Sequence, residues 1–402
     1  MMKRTIMMFC VLAMTCIAVT AQVKRRPAAK KPSAAAKKPA AAKVNNKFAI
    51  LQLDEWANNG LWEDAENIYI LDYPNGDSNA LRAVNKKTGE VKIVIPKKTR
   101  RRAKILSGGA DSINLYFRLA DIGLVKYNGT DVNTSEVILP EREWNAPDAY
   151  LTKAQEYKKI ITSPNGRYLG LLEGATSLVF DQKEHRVTGF YERASEGLLS
   201  NNGTLVYIYL SEIGAVPKGL PTPSSRNKQN AIGSKIWKMK EIGNGGGGEF
   251  SGIWRDDVDS MIYVGMGEQV MRSPMKKMKW EEAYCLPGEN KKFTRIACNG
   301  KHVLAVTDNY QKHFYEWDNK DLKGEPKISQ ELNTGIEGNY GMMGMMYGEI
   351  KFNQVDYLYC DWNGNFWMQE GDGKFYIYNP DGIKGLTALV GKQTANKLPE
   401  ED

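Results

Sequence analysis

Histidine and cysteine are scarce in this 402-residue chain, with three and five copies. His185, His302 and His313 lie far apart, and none has the close His or carboxylate spacing of a zinc site. A Gly-x-Ser-x-Gly nucleophile elbow is also missing. The residues assign no metal and no cofactor. Two of the cysteines, Cys10 and Cys16, fall in an apolar N-terminal leader. Three remain, and an odd number excludes a disulfide-dense scaffold. Cys285 and Cys298 are the candidates for one bridge by proximity in sequence. A bilayer-spanning run is lacking too. Ile6–Val19 is apolar but too short to cross about 30 Å of hydrocarbon.

That short run has the grammar of a leader. Lys3 and Arg4 precede it, and Val19-Thr20-Ala21 places small residues where a signal peptidase reads, so residues 1–21 are expected to be a signal peptide. Ala13-Met14-Thr15 ahead of Cys16 departs from a lipobox. Residues 22–46 are nearly all Lys, Arg, Ala and Pro. They hold too little apolar surface to offset the entropy of ordering, and Pro favours an extended spacer. Residues 47–395 are expected to form the folded body, and 396–402 a disordered tail.

The charge follows this division. The chain carries a formal +8, and ten cations lie in its first 43 residues without one acid, so the remainder is −2. The cations sit off the folded body, which argues against nucleic acid as a partner. The basic segment is suited to contact with an anionic envelope surface.

What the body has in abundance is β-grammar. An apolar strand, an acidic end, a tight turn and an aromatic-rich second strand recur about seven times. Examples are Ile68–Leu71 with Asp72, and Tyr168–Leu172 with Glu173. This predicts an all-β fold, a β-propeller of seven four-stranded blades. Extra sequence in the fourth and seventh units leaves six or eight blades open. Phe48–Leu53 is placed to close the ring by completing the last sheet. Asp148–Lys159 is expected to be a short helical insertion.

Four segments interrupt the repeat: Ile95–Lys104, Leu139–Lys159, Ile213–Ser234 and Asp318–Gly348. The third is read as lying between the two middle strands of its blade. In a propeller, such loops and the inter-blade connections open on one face, so all four are expected there. The acids closing the second strands fall at the same rim: Asp72, Asp121, Glu173, Glu212, Glu268, Asp308 and Glu370, with Asp372 beside the last. They are candidates for a negative mouth that holds a cation or a basic segment of a partner. The alternative is that Asp and Glu simply suit solvated turns. Arg100, Arg101 and Arg102 form the densest basic cluster of the body and could dock phosphate or carboxylate.

Other motifs carry less. Gly243, Gly245 and Gly248 fit a dinucleotide fingerprint but no helix follows them. Met342, Met343, Met345 and Met346 have no His or Cys beside them, which disfavours copper and fits an adaptable contact loop. Asp361-Trp362-Asn363-Gly364-Asn365 alternates oxygen ligands as calcium loops do, yet Phe366 stands where the turn glycine belongs.

Arg272-Ser273 followed by Trp280 resembles the Asp-box hairpin of sialidase-like propellers, with Met275 and Lys277 in place of its Asp and Gly. Gly123-Leu124-Val125-Lys126-Tyr127-Asn128-Gly129 resembles a repeat of secreted and sensor propellers. Asp111-Ser112-Ile113 and Asp259-Ser260-Met261 resemble a short O-glycosylation pattern of exported bacterial proteins. The resemblances imply a secreted propeller. A sialidase-like enzyme would also need an arginine triad and a Tyr–Glu pair. The expected function is an exported, non-catalytic binding or scaffolding module of the cell envelope whose partner is an envelope protein or a glycan. The competing reading is a glycan-processing enzyme with carboxylates at the channel mouth.

Overall fold

A computed structural model describes residues 46–53, 57–72, 79–96, 104–140, 159–172, 177–191, 194, 196–209, 212–216, 235–238, 250–256, 260–285, 293–307, 314–321, 327–328, 357–370 and 373–390. The expected leader and tether therefore lie outside the described residues, apart from Asn46, and so does the C-terminal tail.

Among the described residues, twenty-eight strands form seven antiparallel four-stranded sheets. In the first blade, β2 (Ala57–Glu63) is followed by β3 (Asn67–Asp72), β4 (Leu81–Asn85) and β5 (Val91–Ile95). The second holds β6 (Ile105–Ala110), β7 (Leu115–Leu119), β8 (Gly123–Lys126) and β9 (Glu136–Pro140). The third holds β10 (Lys159–Thr162), β11 (Tyr168–Leu172), β12 (Ser177–Asp181) and β13 (Arg186–Tyr191). The fourth holds β14 (Glu196–Leu199), β15 (Leu205–Tyr209), β16 (Glu212–Val216) and β17 (Lys235–Lys238). The fifth holds β18 (Phe250–Asp256), β19 (Met261–Met266), β20 (Gln269–Pro274) and β21 (Glu281–Cys285). The sixth holds β22 (Phe293–Cys298), β23 (His302–Thr307), β24 (Phe314–Asp318) and the two-residue β25 (Lys327–Ile328). The seventh is built from β26 (Tyr357–Cys360), β27 (Phe366–Glu370), β28 (Lys374–Tyr378) and, from the other end of the chain, β1 (Phe48–Gln52).

The ring closes as the sequence predicts. Phe48 lies opposite Tyr378 and Gln52 opposite Lys374, so β1 is the outer strand of the seventh blade. Such a closure ties the chain segment that precedes the first blade into the last sheet through backbone hydrogen bonds.

Strand alternation builds the interfaces between blades. Successive side chains point to opposite sheet faces. In β27, Met368 packs toward the sixth blade with Leu304 and Val306, while Trp367 packs toward the first with Ile68 and Ile70. Between the first two blades, Trp62, Tyr69 and Leu71 meet Ile105, Phe117 and Leu119. The aromatic residues are therefore mostly inter-blade core. Each interface has its own small cluster, which lets a long chain fold without one oversized core.

Turn chemistry sets the rims. Asn165-Gly166, Asn202-Gly203 and Asn363-Gly364 place glycine at φ 68°, 83° and 83° between the first and second strands of three blades. Glycine reaches this region without the Cβ clash that other residues suffer.

Some expectations are corrected. Ile213–Val216 is not part of an insertion; it belongs to β16, the third strand, which pairs with β15 along its whole length. Residues 217–234 therefore join the third strand to the fourth, at the rim opposite the one expected. The alternating small and apolar residues of β16 fit a narrow central strand, a pattern that reads poorly beside the adjoining Pro- and Ser-rich stretch. Likewise Asp318 closes β24, so residues 319–326 also leave from that opposite rim, and only 329–356 joins one blade to the next. The helical expectation at Asp148–Lys159 falls outside the described residues except for Lys159, which opens β10. Among the described residues, the single helical element is a 3-10 turn at Val132–Thr134.

Candidate functional site

Two rims of the disc carry candidate sites. The first is the rim of second-to-third strand turns, where the sequence places its acids. Asp72 closes β3, but it is buried, and its Oδ1 accepts from Arg82 Nε at 3.2 Å. Burial of the pair makes Asp72 a structural partner and removes it from a solvent-facing ring. Asp121 sits exposed in the turn between β7 and β8, at φ 61°. Glu268 stands half-buried in the turn between β19 and β20, beside Gly267, whose carbonyl accepts from Phe293 N at 2.8 Å. Glu212 opens β16 and Glu370 closes β27, where it faces Lys374 across the hairpin. Glu173, Asp308 and Asp372 lie outside the described residues, as do Arg100, Arg101 and Arg102.

The second site is the axial mouth at the opposite rim, formed where the seven inner strands end. A central cavity of ≈ 730 Å³ touches all seven, from Glu63 on β2 to Cys360 on β26. The sequence reading missed this mouth. Its residues come from strands with short, weak patterns. β2, for example, reads Ala-Asn-Asn-Gly-Leu-Trp-Glu.

Glu63 organises it. It is the last residue of β2 and faces the seventh blade. Its Oε1 accepts from Tyr359 OH at 2.7 Å, and both oxygens accept from Trp362 N at 3.0 Å. Lys86, itself buried, completes the set with an ion pair to Oε2. Burial pushes the Glu63 carboxyl up to about 7, against the opposing pull of Lys86 and the hydrogen bonds from Trp362 and Tyr359.

Lys86 Nζ also lies 4.3 Å from the centre of the Trp362 ring, so it pins one face of the indole. Trp254 of β18 reaches across the sixth blade. Its Nε1 donates to Cys298 O at 2.9 Å, and its ring meets Tyr359 edge-on at 5.6 Å. Arg255, the next residue, points the other way and donates to Leu199 O at 2.9 Å on the fourth blade. Inner-strand alternation thus ties β18 to neighbours on both sides.

Asp361 is not arranged as a calcium ligand. Its Oδ1 accepts from Asn365 N at 2.8 Å, and its Oδ2 from Asn365 Nδ2 at 3.0 Å and Trp367 Nε1 at 2.9 Å. These donors cap the turn between β26 and β27, and burial raises the carboxyl above its usual range despite them. Asp111 has the same role in the second blade, accepting from Ile113 N, Asn114 N and Tyr116 OH. An Asx turn that also takes an aromatic N–H or O–H is therefore one way these blades are built.

Cys298 and Cys360 are buried and stand outside any disulfide. The candidate bridge from Cys298 to Cys285 is overturned by position. Cys298 ends an innermost strand, whereas Cys285 ends the outermost strand of the preceding blade, at the other rim. Burial holds the Cys360 thiol well above its usual pKa.

No protein-family profile matches the chain. No curated protein matches it either. Solved structures do, at the level of fold. The extracellular domain of BT3049 from B. thetaiotaomicron, assigned to the hybrid two component systems, is 11% identical with a TM-score of 0.50, over 83% of this chain and 42% of that one. YCF48 bound to D1 peptide is 10% identical with a TM-score of 0.52, over 83% of this chain and 97% of that one. The extracellular domain of BT4673 from B. thetaiotaomicron is 12% identical with a TM-score of 0.49, over 82% of this chain. This chain spans about two fifths of the length of the two sensor domains, matching 40% and 42% of them.

Proposed function

We propose that this chain is an exported, non-catalytic binding module of the cell envelope that engages a protein partner through the rim carrying its inter-blade connections. One observation carries the reading. Residues 141–158, 239–249 and 329–356 each run from the outer strand of one blade to the inner strand of the next, and so leave from the same rim. Connections well beyond the length a turn needs, gathered on one face of a repeat fold, are the common position of a recognition surface. The acids Asp121 and Glu268 stand at that rim and would favour a basic segment of the partner.

The fold suits this role. YCF48, a propeller of similar fold, is bound to D1 peptide. The extracellular placement of the BT3049 domain agrees with the leader expected at residues 1–21. In that compartment, the basic segment of residues 22–46 would hold the body near an anionic envelope surface.

Glycan-processing chemistry draws less support. Glu63, held at about 7, would by that measure suit a general acid. Its two oxygens are nevertheless taken up by Tyr359, Trp362 and Lys86, and those of Asp361 by Asn365 and Trp367. A proton donor needs an open path to the glycosidic oxygen.

Crosslinking in intact envelopes tests the reading. The full chain should yield defined crosslinks to one envelope protein through 141–158, 239–249 or 329–356. A chain in which 329–356 is replaced by a short Gly-Ser link should lose most of them. Crosslinks confined to the opposite rim, or recovery of the protein from the cytosol, would remove the proposal.

A further inference from the structure

Trp362 is 58% exposed, a large aromatic side chain left open to solvent. Its position is nonetheless fixed. The backbone N is bound to both oxygens of buried Glu63, and the buried ammonium of Lys86 sits against one ring face. An indole held this way has lost its conformational freedom before any ligand arrives, so little entropy remains to be lost on binding.

The ring borders the ≈ 730 Å³ axial cavity, whose volume admits one or two sugar rings and which is shared with Tyr359, Asn299, Asn363 and Lys384. An apolar platform with a few convergent polar groups is the usual make-up of a small-molecule site. Tyr359 cannot add a second parallel platform, because its hydroxyl is bound to Glu63 and Trp254 packs edge-on against it. The mouth therefore offers one flat apolar face and a polar margin.

We propose that the axial mouth is a sugar-binding site, in which Trp362 stacks on the apolar face of a pyranose while Asn363 and Lys384 bind its hydroxyls. The chemistry matches on both counts. A pyranose has C–H bonds crowded on one face, which gain dispersion and desolvation against an indole, and hydroxyls around its edge. A nucleotide would favour a slot between two parallel rings for its base, which Trp362 without a second platform does not supply. The site is separate from the connection-bearing rim and stands on different residues from the protein-partner reading.

The test uses the full chain on a printed array of pyranose-containing oligosaccharides, then titration of the best-bound one. Trp362→Ala should weaken binding roughly tenfold or more, as loss of one stacking platform does. Trp362→Phe should restore most of it, and Asn363→Ala should weaken it in part. Ile93→Ala, exposed on the outer strand β5, should leave it unchanged. Thermal unfolding of each variant separates a lost site from a lost fold; if Trp362→Ala unfolds, Asn363→Ala and Trp362→Phe decide. An array with no bound oligosaccharide, or equal binding by the Trp362 and Asn363 variants, overturns the proposal. Envelope crosslinks that persist in Trp362→Ala would show that the rim reading stands regardless.

Discussion

Glu63 and Tyr359 lie 296 residues apart in sequence, yet the tyrosine hydroxyl donates to Oε1 at 2.7 Å. The bond joins the first inner strand to the last. With Lys86 and the backbone of Trp362 it forms a polar clasp beside the apolar closure made by β1 and β28.

The clasp should make stability depend on pH. In the folded state Glu63 titrates at about 7, against 4.5 for an ordinary glutamate. Between those values the folded chain keeps a proton that the unfolded chain releases. Stability from this group is thus complete below about pH 4.5 and falls as pH rises toward 7, by roughly 3 kcal/mol at most. Urea midpoints at pH 5 and pH 8 measure it. Glu63→Gln should flatten the slope in that window, and an unchanged slope would assign the effect elsewhere.

Asp72→Ala should destabilise the first blade. It leaves the buried Arg82 guanidinium without its carboxylate, a loss of about 3–5 kcal/mol. Replacing both residues by apolar ones of similar volume should recover much of that loss. If Asp72→Ala unfolds like the parent, the pair contributes nothing measurable.

Gly108 marks a close approach of two blades. A Cβ there would stand 2.4 Å from the ring carbons of Trp62. Gly108→Ala should cost about 1–3 kcal/mol by overpacking. Trimming the ring by Trp62→Leu in the same chain should relieve some of the penalty, which a double-mutant cycle on thermal midpoints will show.

The segment after β28 works as a latch on the closure. Leu386 N donates to Lys86 O at 2.9 Å and Ala388 N to Thr88 O at 2.8 Å, and Leu389 is buried with Ala49, Leu51 and Trp367. Leu389→Ala should cost about 2–5 kcal/mol. Amide exchange should rise first in β1 and β28, and exchange that rises evenly around the ring would count against a latch.

Much of the fold was legible because it rests on local signals. Continuous apolar runs such as Tyr168–Leu172, glycine turns such as Asn363-Gly364, and the orphan strand Phe48–Leu53 each declare themselves within ten residues. Inner strands were harder. Ala57–Glu63 and Glu196–Leu199 carry only two large apolar residues each, so their strand signal is weak. The short β16 was hidden beside a Pro- and Ser-rich stretch, and that moved residues 217–234 to the wrong rim.

By itself, the sequence determined an all-β ring of repeated blades and where its ends meet, since strand period, turn glycines and aromatic spacing are properties of neighbouring residues. Tertiary structure alone decided which carboxylates face water. Asp72 is silenced by a partner ten positions away, and Glu63 is bound by groups almost three hundred positions away. It also decided that Trp362 stands open above the axis. The placements of Glu63 and Trp362 exist only once the ring closes, because closure brings the first and last inner strands within hydrogen-bonding reach.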